Sequence, residues 1–257
     1  MHTIIITGAG TGIGAAAAIA LSRRPNTRVV LIGRRKAPLE QVASKCVGPA
    51  MVHAMDAADR SAWVAFLGSA ELDLAANPLV GVFANAGIGG PNRFEEGTGD
   101  RWDEIIRINL TGTYVTVEAC KPHLDAAASE GPRHVVVTSS VLARFGVPGQ
   151  SAYVASKTGL LGLVRSWATE WSADGVLVNA ICPGWVETEM ARNSIQAMAD
   201  QAGRSYDEEL EVQSRILPTG RISQPEEVAE LVVWLMSDAQ RSITGQGIDI
   251  NNGSFMV

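Results

Sequence analysis

Short apolar runs alternate along this chain with longer segments of helical periodicity. The runs are rich in β-branched residues and lack strict alternation, which is typical of strands covered on both faces. They lie at residues 3–7, 28–32, 50–55, 79–84, 133–139 and 176–182. The periodic segments between them predict helices at residues 12–23, 37–46, 60–76, 100–127 and 152–173. This repeated order of strand and helix predicts a parallel sheet with right-handed crossovers.

The pattern changes after residue 184. A polar, helix-prone stretch at 187–215 is longer than an ordinary loop, and we expect it to form a substrate lid over the strand ends. A further helix follows around 228–236, and a last strand lies near 247–250. The whole chain, residues 1–257, is predicted to form a single doubly wound Rossmann-type domain of the α/β class. Its parallel sheet should have about seven strands, with helices on both faces.

Composition narrows the range of partners. The chain has 257 residues, of which 46% are hydrophobic, and this suits one large core. The formal charge is -6 and the longest basic run is only Arg34, Arg35 and Lys36, which argues against a nucleic-acid partner. The sequence has neither a basic leader pattern nor an apolar run of the roughly 18 residues that a membrane span requires. We therefore expect a cytoplasmic protein with no membrane partner.

The cysteines and histidines suggest neither disulfides nor a metal site. An odd number of widely spaced cysteines argues against a disulfide framework and for a reducing compartment. The histidines are dispersed, and no cysteine or carboxylate cluster completes the spacing of metal ligands, so no catalytic metal is expected. The residues concerned are Cys46, Cys120, Cys182, His2, His53, His123 and His134.

A glycine-rich turn connects the first predicted strand to the first helix. Alternating glycines let the backbone approach a pyrophosphate and leave the amides of the helix N-terminus pointing at it. A tight turn between strand and helix also needs glycine for steric reasons, but the position of this one favours dinucleotide binding. The predicted cofactor-binding residues of the turn are Gly8, Gly10, Thr11, Gly12, Ile13 and Gly14.

The end of the second predicted strand indicates which cofactor binds. An acidic residue there would accept hydrogen bonds from a ribose 2'-hydroxyl, but the chain has Arg34 and Arg35, and no acid before Glu40. Guanidinium groups bind phosphate in a bidentate manner, so the pair favours NADP(H) over NAD(H). NAD(H) stays open, because the two arginines could simply form a solvated turn and Thr11 is not basic.

Tyr153 and Lys157 lie four residues apart in a segment of helical period, so they should share one face of the helix. An ammonium about 4 Å from a phenol favours the phenolate by on the order of 4 kcal/mol at an effective dielectric near 20. We therefore expect Lys157 to lower the pKa of Tyr153 and to fit it for proton transfer near neutral pH. Such a pair can also merely cover a surface, so its context decides the interpretation.

That context resembles the short-chain dehydrogenase/reductase family, in its subtype of about 250 residues. The resemblance runs from end to end and rests on motifs in the family's order. They are TGAGTGIG at 7–14, Asn85-Ala86-Gly87, Asn109 in IRINLTG, Ser140, Tyr153 with Lys157, and Cys182-Pro183-Gly184 followed by Thr188. One departure stands near the C-terminus, where Asn251-Asn252-Gly253 replaces the family's common Asp-Gly-Gly.

The resemblance implies four catalytic residues. Tyr153 would be the general acid in ketone reduction and the general base in alcohol oxidation. Ser140 would donate a hydrogen bond to the substrate oxygen. Strand alternation points Ser139 and Ser140 in opposite directions, and the spacing to Tyr153 favours Ser140. Lys157 would also hold the nicotinamide ribose, and Asn109 would hold a water of a proton relay, unless it only marks a local kink of its helix.

The resemblance also implies binding residues. Asp56, with Ala57 beside it, would accept a hydrogen bond from the adenine amino group. Further cofactor contacts would come from Asn85, Ala86, Gly87, Pro183, Gly184, Val186 and the hydroxyl of Thr188. Mostly apolar residues are expected to contact the substrate, which suggests a hydrophobic ketone or hydroxy compound, acyl or cyclic. They are Ser140, Val141, Leu142, Ala143, Phe145, Gln150, Tyr153, Trp185, Met190 and Ile195.

The function expected is that of an NADP(H)-dependent oxidoreductase acting on ketones or secondary alcohols. The alternatives are an NAD(H)-dependent alcohol dehydrogenase, a catalytically silent nucleotide-binding regulator, and an isomerase or dehydratase on the same fold. A serine hydrolase is disfavoured because the G-x-S-x-G motif is missing from the sequence. The resemblance further implies a homotetramer or homodimer, packed through the helices at 100–127 and 152–173.

Overall fold

Seven parallel strands form one sheet in the order β3-β2-β1-β4-β5-β6-β7. The computed structural model describes residues 1–92, 94, 100–124 and 131–256. The strands are β1 His2–Thr7, β2 Thr27–Gly33, β3 Ala50–Ala54, β4 Leu79–Ala84, β5 Arg133–Thr138, β6 Val176–Pro183 and β7 Gly247–Ile250. Each lies within one residue of its predicted bounds, so the parallel sheet expected from the sequence is confirmed.

The helices pack on both faces of this sheet. They are α1 Gly12–Leu21, α2 Lys36–Ala43, α3 Arg60–Leu67, α4 Trp102–Ile105, α5 Gly112–Cys120, α6 Ser151–Trp171, α7 Glu189–Ala202, α8 Tyr206–Arg215 and α9 Pro225–Leu235. The helix predicted at 60–76 is too long. It ends at Leu67, because Gly68 closes its last turn and Asp73 has a φ of 42°, which a right-handed helix cannot include.

Successive side chains of one strand pack into different cores. Ile4 and Ile6 point to the layer that contains α1, α2 and α9, where Leu21 and Val232 are fully buried. Ile5 points to the opposite layer, which contains α3, α5 and α6. This two-sided burial explains why the predicted strands are continuous apolar runs, and it confirms the doubly wound class.

The helix predicted at 100–127 is helical without a break from Trp102 to Cys120, but it is not α-helical throughout. α4 and α5 are joined by a π-helical turn, Ile106–Thr111, and a 3₁₀ turn, Lys121–His123, follows α5. The hydroxyl of Thr113 donates to the carbonyl oxygen of Asn109 at 2.8 Å, so the widened turn keeps a partner for that carbonyl. Residues 125–127 of this prediction lie outside the described residues.

The insertion 187–215 is helical, as its composition predicts. It consists mainly of α7 and α8, which pack on each other. Thr188 caps α7 by accepting a hydrogen bond from the amide of Ala191, and Ser205 and Glu208 form a capping box at the start of α8. Across the part of the chain that the structure describes, every helix is too short or too polar to cross a bilayer.

The two-layer core predicts a contrast between two valines. Val82 of β4 is fully buried, whereas Val64 of α3 is 75% exposed. Val82→Ala should lower the free energy of unfolding by about 2 kcal/mol, because it removes buried methyl groups and leaves a cavity. Val64→Ala should change it by less than about 0.5 kcal/mol. Denaturant unfolding measures both, and equal losses would contradict this assignment of the core.

Candidate active site

A cavity at the carboxyl ends of the strands brings together many of the predicted cofactor-binding residues. It lies beside β1 and β4, where the chain switches from one half of the sheet to the other. The predicted residues that line it are Gly8, Gly10, Thr11, Arg34, Arg35, Asp56, Ala57, Ala86 and Gly87. It is also lined by residues that the sequence did not single out, namely Gly33, Pro38, Leu39, Met55, Ala58, Ile88 and Ile108.

The glycine-rich turn is folded so tightly that two of its residues must lack side chains. Gly8 has a φ of 65°. A Cβ on Gly14 would lie 2.3 Å from the carbonyl oxygen of Gly8 and 2.6 Å from Nδ2 of Asn85. The start of α1 therefore packs directly against the turn, and its amides face the cavity side of the sheet. A group such as a pyrophosphate fits a turn of this shape.

Asn85 ties strand ends together and does not line the cavity. Its side-chain amide donates to the carbonyl oxygen of Thr7 at 3.2 Å, and its Oδ1 accepts from the hydroxyl of Thr138 at 3.0 Å. The hydroxyl oxygen of Thr7 in turn accepts from the amides of Asn85 and Ala86. The ends of β1, β4 and β5 are thus joined, which brings Ala86 and Gly87 to the cavity wall.

Asp56 is held by an arginine that the sequence did not reveal. Nη1 of Arg107 lies 2.8 Å from Oδ2 of Asp56, and the amide of Ala58 donates to Oδ1 at 3.0 Å. Burial alone would raise the pKa of Asp56, but the Ala58 amide, Arg107 and the charge of Arg34 together hold it below its usual value. Asp56 therefore stays a carboxylate at the cavity edge, where it can accept hydrogen bonds.

Tyr153, Lys157 and Ser140 meet at the first turns of α6. Nζ of Lys157 lies 5.6 Å from the centroid of the Tyr153 ring. Burial raises the pKa of Tyr153, and a hydrogen bond with Ser140 acts in the opposite direction. The expected net lowering of the Tyr153 pKa is wrong, because the loss of hydration at the phenol outweighs the interactions that favour the phenolate.

Lys157 is a buried cation with one close acceptor. Its side chain is 4% exposed, and Nζ donates to the carbonyl oxygen of Thr138 at 2.8 Å. Burial lowers its pKa to about 8. A Cβ on Gly87 would lie 3.4 Å from Nζ and 3.2 Å from Oδ1 of Asn109, so the absence of a side chain at Gly87 leaves space beside both groups.

The two serines after β5 have different partners. Ser139 donates from its hydroxyl to the carbonyl oxygen of Lys157 at 2.8 Å, which fixes α6 against the strand end. Oγ of Ser140 accepts from the amide of Leu142 at 3.1 Å and caps a 3₁₀ turn, Val141–Ala143. Of the two, Ser140 is the serine whose side chain acts to lower the pKa of Tyr153.

Asn109 connects the loop after β4 to α6. It is fully buried in the π-helical turn. Its Oδ1 accepts from the amide of Ile88 at 2.8 Å, and its Nδ2 donates to the carbonyl oxygen of Ile88 and to Oγ of Ser156. These contacts make Asn109 a tie between two walls of the site, and the water-holding role stays a prediction.

The segment after β6 approaches the glycine-rich turn. The amide of Gly184 donates to the carbonyl oxygen of Ile250 at 3.0 Å, which anchors the chain just after Pro183. A Cβ on Gly12 would lie 3.0 Å from Cγ2 of Thr188. The hydroxyl of Thr188 donates to the carbonyl oxygen of Val186, so its predicted contact with a nicotinamide amide would compete with an internal bond.

The expected substrate residues differ in how far they are buried. Met190 packs against the loop after β4, since a Cβ on Gly89 would lie 3.0 Å from its sulfur. Leu142, Ala143, Gln150 and Trp185 are half-buried, Phe145 and Met190 are more exposed, and Val141 is buried. Ile195 is fully buried in α7, and its contact with the substrate stays a prediction.

Asn92 helps to place Tyr153, although no motif in the sequence marks it. Its Oδ1 accepts from the amide of Ala152 at 2.8 Å, and its Nδ2 donates to the hydroxyl of Ser151. A loop residue distant in sequence therefore satisfies the first turn of α6, where Gln150 provides no side-chain cap. Within residues 1–92, 94, 100–124 and 131–256 no cluster of histidine, cysteine or carboxylate side chains could hold a metal ion.

Comparisons with known proteins agree with this geometry. A family model described as enoyl-(acyl carrier protein) reductase matches residues 8–254. Acetoacetyl-CoA reductase of Shinella zoogloeoides is 33% identical over 257 residues, which cover 98% of this chain and 98% of the relative. The inactive 2-(S)-hydroxypropyl-CoM dehydrogenase 2 of Xanthobacter autotrophicus is 32% identical over 232 residues, which cover 90% of this chain and 96% of the relative. A solved structure of an actinorhodin polyketide ketoreductase variant with NADPH has a TM-score of 0.89 at 26% identity, covering 98% of this chain and 97% of the other.

The buried ammonium predicts a pH dependence of stability. The pKa of Lys157 falls from an ordinary value of 10.5 to about 8 on folding, so between these values the unfolded chain binds more protons than the folded one. The contribution of Lys157 to the free energy of unfolding should therefore rise with pH across that window. Relative to Lys157→Met, the wild type should gain on the order of 2 kcal/mol between pH 7 and pH 10.

The difference in free energy of unfolding between wild type and Lys157→Met, taken at each pH, cancels the contributions of groups that titrate alike in both proteins. Lys45→Met, at an exposed position, controls for the loss of a lysine as such. Denaturant unfolding at a series of pH values measures the three proteins. A difference between wild type and Lys157→Met that stays flat from pH 7 to pH 10 would contradict the charged, desolvated state of this lysine.

Proposed function

The chain belongs to the short-chain dehydrogenase/reductase family, and we propose that it is an NADP(H)-dependent oxidoreductase acting on a hydrophobic ketone or secondary alcohol. The observation that carries the proposal is the position of Tyr153, Ser140 and Lys157 next to a cavity lined by a glycine-rich turn and two arginines. The nicotinamide, when bound, supplies or accepts the hydride. The chain's own residues bind, orient and move the proton.

Tyr153 is the proton donor in the direction of reduction. A phenol that burial keeps protonated is suited to give its proton to a carbonyl oxygen as negative charge develops there. Ser140, whose side chain also acts on the pKa of Tyr153, would donate a hydrogen bond to the same oxygen and stabilise the charge. Lys157 contributes a buried positive charge, which favours the phenolate that remains after proton transfer.

The space beside Gly87 supports a ribose position. Nζ of Lys157 and Oδ1 of Asn109 both face the point where a side chain of Gly87 would begin. A sugar hydroxyl is a suitable partner for these two groups, since an ammonium donates hydrogen bonds and an amide oxygen accepts them. We assign ribose binding to Lys157. We assign to Asn109 the binding of a water molecule on the side of Ile88, which would complete a proton relay.

Arg34 and Arg35 support NADP(H) as the preferred cofactor. Both line the cavity, and neither forms an ion pair with a carboxylate among the described residues. Their guanidinium groups are thus available for a 2'-phosphate, which needs charge-assisted hydrogen bonds. Asp56 lies on the same cavity, and its neutralisation by Arg107 reduces the repulsion that a phosphate would meet there.

The apolar character of the predicted substrate residues supports a hydrophobic substrate. Leu142, Trp185 and Met190 offer apolar surface, whereas Gln150 offers a polar group near the start of α6. α7 and α8 would act as the lid that excludes water during proton transfer. The relative named acetoacetyl-CoA reductase supports a β-ketoacyl thioester as the first compound to test. The description of the family model adds an enoyl thioester to the panel.

A catalytically silent nucleotide-binding protein is the second candidate. The relative from Xanthobacter that is described as inactive shows that similar chains can lack activity. The presence of Ser140, Tyr153 and Lys157 together disfavours this candidate, because cofactor binding alone does not require a proton donor.

Three free cysteines support the cytoplasmic location, and α5 and α6 are the surfaces we assign to a homotetramer or homodimer. Gel filtration tests the assembly.

Removal of one hydroxyl should abolish turnover and spare binding. Tyr153→Phe should lower kcat for ketone reduction by a factor of about 10² to 10⁴, because the proton donor is lost. Tyr114→Phe removes a tyrosine hydroxyl elsewhere and should keep wild-type kcat. Consumption of NADPH is followed by absorbance with acetoacetyl-CoA, a cyclic ketone, a medium-chain ketone and crotonyl-CoA. Unchanged turnover in Tyr153→Phe, or no turnover of the panel by the wild type, would refute the proposal.

Cofactor preference should depend on two side chains. Arg34→Ala and Arg35→Ala should each lower kcat/KM for NADPH about tenfold, because a charge-assisted bond to the 2'-phosphate is lost, and should leave kcat/KM for NADH nearly unchanged. Lys36→Ala, which removes the neighbouring exposed cation, is the matched control. Steady-state rates with both cofactors measure the effect. A wild type that prefers NADH tenfold would overturn this assignment.

A further inference from the structure

Asn252 has a backbone conformation that most residues avoid. Its φ is 57°, in the left-handed region that glycine and asparagine tolerate best. The family commonly has glycine in this part of the Asp-Gly-Gly motif, so the backbone alone does not require asparagine here. The side chain has a use of its own, since Nδ2 of Asn252 donates to Oγ of Ser223 at 2.8 Å.

Ser223 connects the two ends of the insertion 187–215, the place where it leaves and rejoins the sheet, which we call its root. Its amide donates to the carbonyl oxygen of Trp185 at 2.9 Å, and its carbonyl oxygen accepts from the amide of Glu187 at 2.9 Å. These bonds form an isolated parallel bridge between Val186 and Ser223. The chain leaving the sheet and the chain returning from α8 are therefore held together at this bridge, where Ser223 is 4% exposed.

The C-terminal turn contacts both sides of that root. A Cβ on Gly184 would lie 3.0 Å from Cα of Asn251, so the turn packs against the start of the segment. A Cβ on Gly253 would lie 2.9 Å from Cγ of Pro218, so the turn also packs against the returning chain. Within the turn, the amide of Gly253 donates to Oδ1 of Asn251 at 3.0 Å, which fixes its shape.

We propose that Asn252 is a positioning residue that, through Ser223, sets where the insertion leaves and rejoins the sheet, and so holds Val186 and Thr188 at the cofactor site. The inference rests on the proposed function for the identity of that site. Val186 belongs to the bridge itself, and Thr188 follows two residues later, where its methyl group meets the glycine-rich turn at Gly12. A shift of Ser223 would therefore move Thr188 relative to the pyrophosphate position.

Asn252→Gly tests this role without straining the backbone. Glycine accepts a positive φ freely, so the substitution removes the amide and keeps the turn. Asn26→Gly is the matched control, because Asn26 has a φ of 54° in the exposed turn before β2, far from the site. Any general effect of placing glycine at such a position is therefore measured by the control.

Three measurements are made on both variants and on the wild type: hydrogen exchange at the amides of Glu187 and Ser223, NADPH affinity by fluorescence, and steady-state rates. Asn252→Gly should speed exchange at both amides and raise the Kd for NADPH about fivefold, with the larger effect on KM than on kcat. Asn26→Gly should match the wild type in all three. Ser223→Ala should reproduce Asn252→Gly, and the double variant should add nothing further.

Two outcomes would overturn the inference. Unchanged exchange at Glu187 and Ser223 in Asn252→Gly would show that the side chain does not hold the root of the insertion. Faster exchange with unchanged NADPH affinity would show that the root does not position the cofactor site. A wild type that binds NADPH but reduces no ketone would instead refute the proposed function, and the exchange and affinity measurements would still decide the role of Asn252.

Discussion

The buried ammonium group of Lys157 constrains the residues around it at the carboxyl end of this sheet. Lys157 is almost fully excluded from water, and such a charge is costly unless it is hydrogen-bonded. The carbonyl oxygen of Thr138 satisfies one of its donors, and Gly87 leaves the space in which a ligand can satisfy another. Ser139 then fixes the helix that carries the lysine. The chemistry assigned to Tyr153 depends on this arrangement, because a displaced ammonium would no longer stabilise its phenolate.

The strands could be predicted from the sequence because burial on both faces produces continuous apolar runs that end where the sheet ends. The ends and the type of the helices were less predictable from the sequence. The apolar pattern of α3 continues past Leu67 to Leu72, which is buried although it lies in a turn. The pattern in this stretch therefore reflects burial and not helical structure. The π-helical turn at Ile106–Thr111 was not foreseen, since one widened turn changes neither the composition nor the apparent period of its segment.

Site residues were predicted where the chain itself brings them together, as with the glycine-rich turn or with Tyr153 and Lys157 on one helix. Contacts between distant segments gave no such signal. Arg107 reaches Asp56 and Asn252 reaches Ser223 only because the fold places them side by side. The sign of the pKa shift of Tyr153 could not be predicted from the sequence either, because it depends on how far the folded chain excludes water from the phenol.

The widened turn that carries Asn109 has a consequence for how this chain can vary in length. A π-helical turn holds one residue more than an α-helical turn of the same rise. Deleting a single residue within Ile106–Thr111 would let the helix close into regular geometry, which would rotate Asn109 away from Ile88 and Ser156. A one-residue deletion here should therefore disturb the site more than a deletion of the same length in a surface loop.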